Sequence, residues 1–175
     1  MLKKIALALV VALAALLLLA TTRPASFRVE RRIVVQAPAE KIQPLIADFH
    51  RWPEWSPWEK LDPAMARTFG GAASGAGSTY AWKGNKDVGS GRMEIKDAQP
   101  AKVSIQLDFM EPFEGHNLTE FGLAPQGGGT EVTWAMSGPM PFVSKLMSIF
   151  VSMDSLVGKD FEKGLAQMKA AAEAR

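Results

Sequence analysis

The stretch Lys102-Val103-Ser104-Ile105-Gln106-Leu107-Asp108-Phe109 decides the fold, because polar and apolar residues alternate along it without a break. Successive side chains of a β-strand point to opposite faces of the sheet, so this alternation predicts a strand with one polar and one apolar face. Val132, Trp134 and Met136 alternate with their neighbours in the same way. The sequence therefore predicts a sheet whose apolar face is covered by another element.

Turn-forming residues punctuate the chain on both sides of this stretch. Between Met65 and Ser137 they recur at spacings of about a dozen residues, which predicts an antiparallel meander of short strands. On the N-terminal side, the alternation over Phe27–Val35 predicts a first strand. Pro38 and the apolar residues that follow it at helical spacing predict a helix after that strand.

The C-terminal segment is expected to cover the apolar face of the sheet. Its apolar residues form one stripe with the period of an α-helix: Phe142, Leu146, Ile149, Phe150, Met153, Leu156, Val157, Phe161, Leu165 and Met168. Glycine weakens a helix, so we expect a bend or break near Gly158. The resulting order of strand, helix, run of strands and long helix predicts an α+β fold.

The head of the chain has the pattern of a membrane-spanning segment. Lys3 and Lys4 precede an uninterrupted apolar run over Ile5–Ala20, which would span roughly 24 Å as a helix. A cleaved signal peptide has the same basic start and apolar middle, but Ala20 and Thr22 make a poor cleavage pair. We therefore expect residues 1–25 to be a single-pass transmembrane anchor, with a signal segment as the alternative, and residues 26–175 to form one domain.

The orientation of this anchor is not settled by charge. Arg23, Arg28, Arg31 and Arg32 follow the segment and outnumber the two lysines before it, against the usual excess of positive charge on the cytoplasmic side. We take the extracytoplasmic side of the cell membrane as the expectation. The arginines could form a basic collar against anionic headgroups, or they could be an ordinary solvated strand face.

Composition excludes several kinds of site. A formal net charge of +2, with acidic and basic residues interspersed, argues against nucleic-acid binding. The chain has no cysteine and only two histidines, His50 and His116, which excludes cysteine-ligated and histidine-rich metal centres. Gly75-Ala76-Gly77 lacks the remaining residues of a dinucleotide or phosphate loop. We expect no metal and no cofactor.

No catalytic group can be recognised from residue spacing. The sequence shows no nucleophile with a base, no acid–base pair and no metal motif, so we name no catalytic residue and expect a protein that is not an enzyme. The alternative is an enzyme of the cyclase or hydrolase type that uses His116 or a buried carboxylate.

Four segments, together with the order of elements, resemble a known family: Trp52-Pro53-Glu54-Trp55-Ser56-Pro57-Trp58, Gly75–Trp82, Pro112–Gly115 and Gly158–Leu165. They are similar to the START-like helix-grip (SRPBCC) superfamily, in its polyketide cyclase/dehydrase and lipid-transport branch, over roughly Phe27–Ala172. The resemblance implies a curved antiparallel sheet of six to seven strands around a long C-terminal helix, with an apolar cavity between them. It implies little about chemistry, because members bind varied apolar ligands and many catalyse nothing.

The resemblance and the alternation of the strands together suggest which residues line such a cavity. We expect the lining to include Trp82, Met93, Ile95, Phe109, Phe121, Trp134, Met136, Phe150, Met153 and Val157. Trp52, Trp55 and Trp58 are expected at the cavity mouth or the membrane interface, since indole combines an apolar body with one donor. The alternative for these tryptophans is that they pin their loop to the core.

The sequence thus predicts a membrane-anchored carrier or sensor that binds a hydrophobic small molecule or lipid between the sheet and the C-terminal helix. The membrane is an expected partner and nucleic acid is not, while a protein partner is not identified. The main alternative is an interaction or regulatory domain at the membrane whose interior is filled by side chains.

Overall fold

The computed structural model describes residues 1–174 of the protein. The helices are α1 (Leu2–Thr21), α2 (Ala39–Ala47), α3 (Phe142–Met147) and α4 (Met153–Glu173), with two short 3-10 helices at Phe49–Glu54 and Trp58–Lys60. The strands are β1 (Ser26–Val35), β2 (Ala66–Gly71), β3 (Ser78–Lys83), β4 (Ser90–Gln99), β5 (Lys102–Glu111), β6 (Gly115–Gln126) and β7 (Gly129–Pro139).

The strands form one antiparallel sheet of seven strands in the order β1-β7-β6-β5-β4-β3-β2. Strands β2 to β7 follow one another as a meander, and β1 adds to the free edge of β7. Shifts of register between β4 and β5, at Ser90/Gly91 and Ile95/Asp97, mark irregularities of the kind that bend a strand and increase its twist. The predicted α+β helix-grip fold, with its meander and its six to seven strands, is confirmed.

Helix α4 covers the apolar face of the sheet, as the periodic stripe predicts. Phe161, Leu165 and Met168 are buried against core residues of β1, β6 and β7. Each such side chain removed from water stabilises the fold by roughly 1.5–3 kcal/mol. Helix α2 and the aromatic residues after it belong to the same core, and α2 contacts α4, β5 and β6.

The expected bend near Gly158 is wrong, because α4 runs without interruption from Met153 to Glu173. The break lies earlier, over residues 148–152, between α3 and α4. The Ser152 side chain accepts a hydrogen bond from the Ser155 backbone N–H at 3.1 Å, so it caps the new helix at its N-terminus. Capping chemistry, rather than glycine content, therefore fixes where the C-terminal segment divides.

The arginines of β1 do not form a free basic collar. Arg31 bonds to both carboxylate oxygens of Asp154 at 2.7 and 3.0 Å and to Glu162 at 2.7 Å. Arg28 and Arg32 both pair with Glu30. Their charges are matched by neighbouring carboxylates, as in an ordinary solvated strand face, and Arg31 also ties β1 to α4.

Helix α1 is the one described helix long and apolar enough to cross a membrane, a test that a signal sequence also passes. Its twenty residues extend about 30 Å, which matches the hydrocarbon thickness of a bilayer. Only four residues separate it from β1, and α1 contacts α3. The backbone N–H of Met140 donates to Ala25 O at 2.8 Å, which fixes the junction to the end of β7.

Candidate ligand-binding cavity

A cavity of about 350 Å³ lies between the apolar face of the sheet and the N-terminal half of α4. This volume is at the lower end of the range of roughly 300–1,000 Å³ that small-molecule sites occupy. Most of the wall is aromatic or aliphatic and comes from β3 to β7, the 3-10 segments and α4. The wall includes Trp52, Trp58, Met65, Tyr80, Trp82, Val88, Met93, Leu107, Phe109, Thr119, Trp134, Met136, Leu156, Val157 and Phe161.

Six of the ten residues predicted to line a cavity lie in its wall. They are Trp82, Met93, Phe109, Trp134, Met136 and Val157. The strand residues among them reach the same space because alternate side chains of neighbouring strands share a face. Contact between these residues and a ligand stays a prediction.

The other four predicted lining residues lie outside the cavity wall. Ile95 and Phe121 are fully buried within the core, where neighbouring side chains fill the space. Met153 packs against the edge of that core. Phe150 is 72% exposed, because it lies in the link before α4 and the helical period no longer turns it inward.

Two of the three tryptophans predicted at the mouth or the membrane interface, Trp52 and Trp55, lie in the interior instead. Trp52 and Trp55 are buried, and their indole N–H groups donate to the backbone carbonyls of Ile46 at 3.1 Å and Leu45 at 2.7 Å. Carbonyls in the last turn of a helix lack partners within the helix, so these bonds pin the loop to α2. Trp58 is half-buried and lines the cavity beside Trp134, and its place at the mouth stays a prediction. The alternative role, in which the cluster holds its loop to the core, describes Trp52 and Trp55.

Exposed wall residues mark the mouth of the cavity. Lys86 and Asp87 come from the β3–β4 loop, Glu111 from the end of β5, Pro112 from the connection to β6, and Leu156 from the first turn of α4. All five are exposed, whereas Tyr80, Met93 and Trp134 in the same wall are buried. The cavity therefore opens between two loops and the start of α4.

A buried carboxylate provides one polar group in this apolar wall. Glu59 is 8% exposed; it accepts a hydrogen bond from the Tyr80 hydroxyl at 2.6 Å and pairs with Arg67 Nε at 2.8 Å. Burial, and then the adjacent Glu59 carboxylate, raises the pKa of Tyr80 well above its ordinary value. These residues cannot be recognised as a group from the sequence, because nothing in the spacing of Glu59, Arg67 and Tyr80 predicts that they meet.

Two further polar atoms of wall residues have no hydrogen-bond partner within the described part of the chain. They are Thr119 Oγ1 and Trp134 Nε1, on residues only 3% and 2% exposed. Buried polar groups are almost always paired, and leaving one unpaired costs about 1–3 kcal/mol. A ligand oxygen reaching these residues would provide the missing partner.

His116 does not contribute to the cavity wall. Its ring is 63% exposed, and Nδ1 lies 2.9 Å from Asp108 Oδ1, a hydrogen bond that raises the pKa of His116 above its ordinary value. An enzyme that used His116 on a ligand in this cavity is therefore not supported. Among residues 1–174, no group of three or more histidine or acidic side chains is placed to hold a metal ion.

Comparison with known proteins agrees with the fold. The family model described as "Polyketide cyclase / dehydrase and lipid transport" matches residues 26–173. No curated protein is similar enough in sequence to count as a relative.

Solved structures with the same fold have little sequence identity to this chain. The Aha1 dimer from Colwellia psychrerythraea is 18% identical, with a TM-score of 0.61 over 84% of this chain and 96% of that one. Ara h 8.0201 is 14% identical, with a TM-score of 0.54 over 85% and 95%. The di-domain ARO/CYC StfQ from the steffimycin biosynthetic pathway is 10% identical, with a TM-score of 0.63 over 85% of this chain and 51% of that one.

Proposed function

The chain belongs to the polyketide cyclase/dehydrase and lipid-transport family, and from that premise we propose that it is a membrane-anchored carrier or sensor of a hydrophobic small molecule or lipid. Residues 26–175 form the ligand-binding domain in this proposal, and residues 1–25 form a retained single-pass anchor. The domain lies on the extracytoplasmic side of the cell membrane. The family is consistent with a hydrophobic ligand, and the anchor brings the domain close to a supply of such molecules.

The observation that carries the proposal is the cavity of about 350 Å³ with its largely apolar wall. Apolar surface transferred from water into such a space is stabilised by about 25 cal/mol per Å² buried. The polar groups at Glu59, Tyr80, Thr119 and Trp134 favour a ligand with an apolar body and at least one oxygen. A small amphiphile fits this combination better than a pure hydrocarbon.

Photolabelling of the full chain tests this proposal. In vesicles that contain a fatty acid with a photoreactive group, we expect labels on wall residues such as the buried Met93 and the partly buried Leu107, as well as on α1. Val157→Trp should fill the cavity from α4 and remove the wall labels. Lys163→Trp, an exposed site on the same helix, should keep them.

Labelling of α1 reports that each variant is in contact with the lipid. Wall labels that persist in Val157→Trp, or that are absent from the unsubstituted chain while α1 is labelled, would contradict ligand binding in the cavity. The second result would favour an interaction domain with a closed interior.

A further inference from the structure

The exposed apolar side chains of the domain are concentrated in one segment. Among the described residues beyond α1, eleven large apolar side chains are well exposed, and six of them lie between residues 142 and 156. We call these six the apolar surface; its members are Phe142, Val143, Met147, Phe150, Val151 and Leu156. Six exposed apolar side chains within fifteen residues of chain are unusual for a protein surface in water, so the apolar surface indicates an interaction site.

Local structure holds the apolar surface outward. None of the residues of α3 is buried, so this short helix contributes nothing to the core. The turn that follows is closed by backbone hydrogen bonds from Phe150 N and Val151 N to Met147 O, both at 3.0 Å. Ser152 then starts α4. The outward position of Phe150 and Val151 therefore follows from an ordered turn.

The contact between α1 and α3 determines the depth of the apolar surface relative to a membrane that α1 crosses. Ala20 is fully buried and Leu16, one turn before it, is partly buried, while the other residues of α1 from Leu2 to Leu19 are exposed. The contact of α1 with α3 therefore lies at the end of α1 that is next to the domain. In a bilayer crossed by α1, this end lies at the boundary between the hydrocarbon and the headgroups.

The apolar surface also borders the mouth of the cavity. Leu156 belongs both to the cavity wall and to the apolar surface. On the other side of the mouth, Glu111 and Pro112 are flanked by Met110 and by Phe113, which is 71% exposed. Exposed apolar side chains thus stand on two sides of the opening.

We propose that the apolar surface, together with Met110 and Phe113, inserts into the interface of the bilayer that α1 crosses, so that the cavity mouth opens onto the membrane. This inference rests on the proposed anchoring of α1. Side chains of this kind enter the headgroup and acyl boundary by about 5–10 Å. The ligand then passes between bilayer and cavity without crossing water.

The charges at the mouth are mixed, which indicates what drives the contact. Lys86 is positive, whereas Asp87 and Glu111 are negative. Attraction to anionic headgroups therefore contributes little, and insertion depends on apolar burial. The contact should form on uncharged phosphatidylcholine and should change little with salt.

Single-cysteine labelling of the full chain tests this geometry, because the sequence contains no other cysteine. A polarity-sensitive fluorophore is attached at Phe150→Cys or Phe113→Cys, both exposed positions, in chain reconstituted into phosphatidylcholine vesicles. Leu13→Cys reports on α1. Gln126→Cys is the matched exposed control, since the turn after β6 lies at the opposite end of β7 from α3, about 33 Å away.

Lipids that carry a quencher at a shallow acyl position should suppress the labels at residues 150 and 113, whereas a quencher at the end of the acyl chain should suppress the label at residue 13, which lies about 12 Å deeper along α1. Both kinds of lipid should leave the label at residue 126 bright. If the label at residue 13 is quenched and the label at residue 150 is not, the inference is overturned and the anchoring of α1 still holds. An unquenched label at residue 13 would instead refute the anchoring. If a second copy of the chain covers the apolar surface, the label at residue 150 will be shielded from water-soluble quencher but unaffected by lipid quencher, which also contradicts the inference.

Discussion

Tyr80 and Glu59 determine the polar chemistry of the cavity wall at the scale of single residues. The Tyr80 hydroxyl is buried and donates to a carboxylate that also pairs with Arg67. Ionising the tyrosine would place a second negative charge beside Glu59 in a poorly solvated position. The folded protein therefore holds the Tyr80 proton strongly.

This pairing predicts a shifted titration. The chain has one tyrosine, so the absorbance of tyrosinate reports on Tyr80 alone. It should appear at a higher pH than in the unfolded chain, because burial first, and Glu59 second, raises the pKa of Tyr80. A raised pKa means that the folded state favours the protonated tyrosine more than the unfolded state does. The stability that Tyr80 contributes is therefore fully present below about pH 10, the ordinary tyrosine pKa, and is lost as the pH rises further.

Glu59→Gln should lower the Tyr80 pKa part of the way back, since burial remains the larger cause. Glu54→Gln, which removes the exposed carboxylate paired with Arg51, should leave the titration unchanged. An unshifted titration in the native protein would show that the Tyr80 hydroxyl is open to solvent.

The apolar residues of the cavity wall can be predicted from the sequence more readily than these polar residues. Trp82, Met93 and Trp134 lie on the strands β3, β4 and β7. The alternation of apolar and polar residues along a strand indicates which face of the sheet is covered. Glu59 lies in a short 3-10 helix, and Arg67 lies in the edge strand β2. Glutamate and arginine side chains are usually exposed to solvent. Only tertiary packing against Tyr80 makes Glu59 a wall residue.

At the scale of elements, the contact of α4 with the sheet depends on a small residue. The Trp134 ring stacks against Phe161 at 4.1 Å and against Phe121 at 5.0 Å between ring centroids. A Cβ atom at Gly164 would lie 2.7 Å from Trp134 Cζ3 and 3.1 Å from Pro57 Cδ. Gly164 therefore lets α4 approach the aromatic stack, which explains a glycine in a helix interior.

Gly164→Ala should destabilise the protein although alanine favours a helix by about 1 kcal/mol. The new methyl group meets an indole that is held on both faces, and such overpacking costs about 1–3 kcal/mol or more. Gly158→Ala is the matched control, because its Cβ would meet the Arg31 guanidinium instead. That group can turn aside into solvent at the cost of its surface ion pairs with Asp154 and Glu162, which typically contribute about 1 kcal/mol or less. Urea denaturation should give a lower free energy of unfolding for Gly164→Ala than for Gly158→Ala. Equal or reversed values would contradict the packing described for Trp134.

The division between α3 and α4 marks the limit of pattern-based prediction at this scale. The stripe from Phe142 to Met168 has a helical period throughout, so a single cover was expected. The chain breaks after Met147 and restarts at Met153, which leaves Phe142 and Phe150 exposed. A periodic pattern is the same whether an apolar residue faces the core or a membrane. Only the three-dimensional structure distinguishes the residues that face the core from those that face outward.

At the scale of the whole molecule, the order of elements and the meander could be predicted from the sequence, because hydrophobic period and turn residues are local signals. The location of the cavity could not. Ile95 and Met93 share a face of β4, yet one lies in filled core and the other at an empty space. The periodicity of a strand predicts which face of the sheet is covered. The position of the cavity depends on how the covering elements pack on that face.

The proposed function requires a ligand that occupies this space. The most direct measurement is mass spectrometry of the organic extract of the full chain, purified in polymer-bounded lipid discs, with Val157→Trp purified in parallel to correct for surrounding lipid. We expect one hydrophobic species at about one molecule per chain in the unsubstituted protein and its depletion in the variant. Extracts of identical composition from the two proteins would contradict the claim that the cavity is a ligand-binding site.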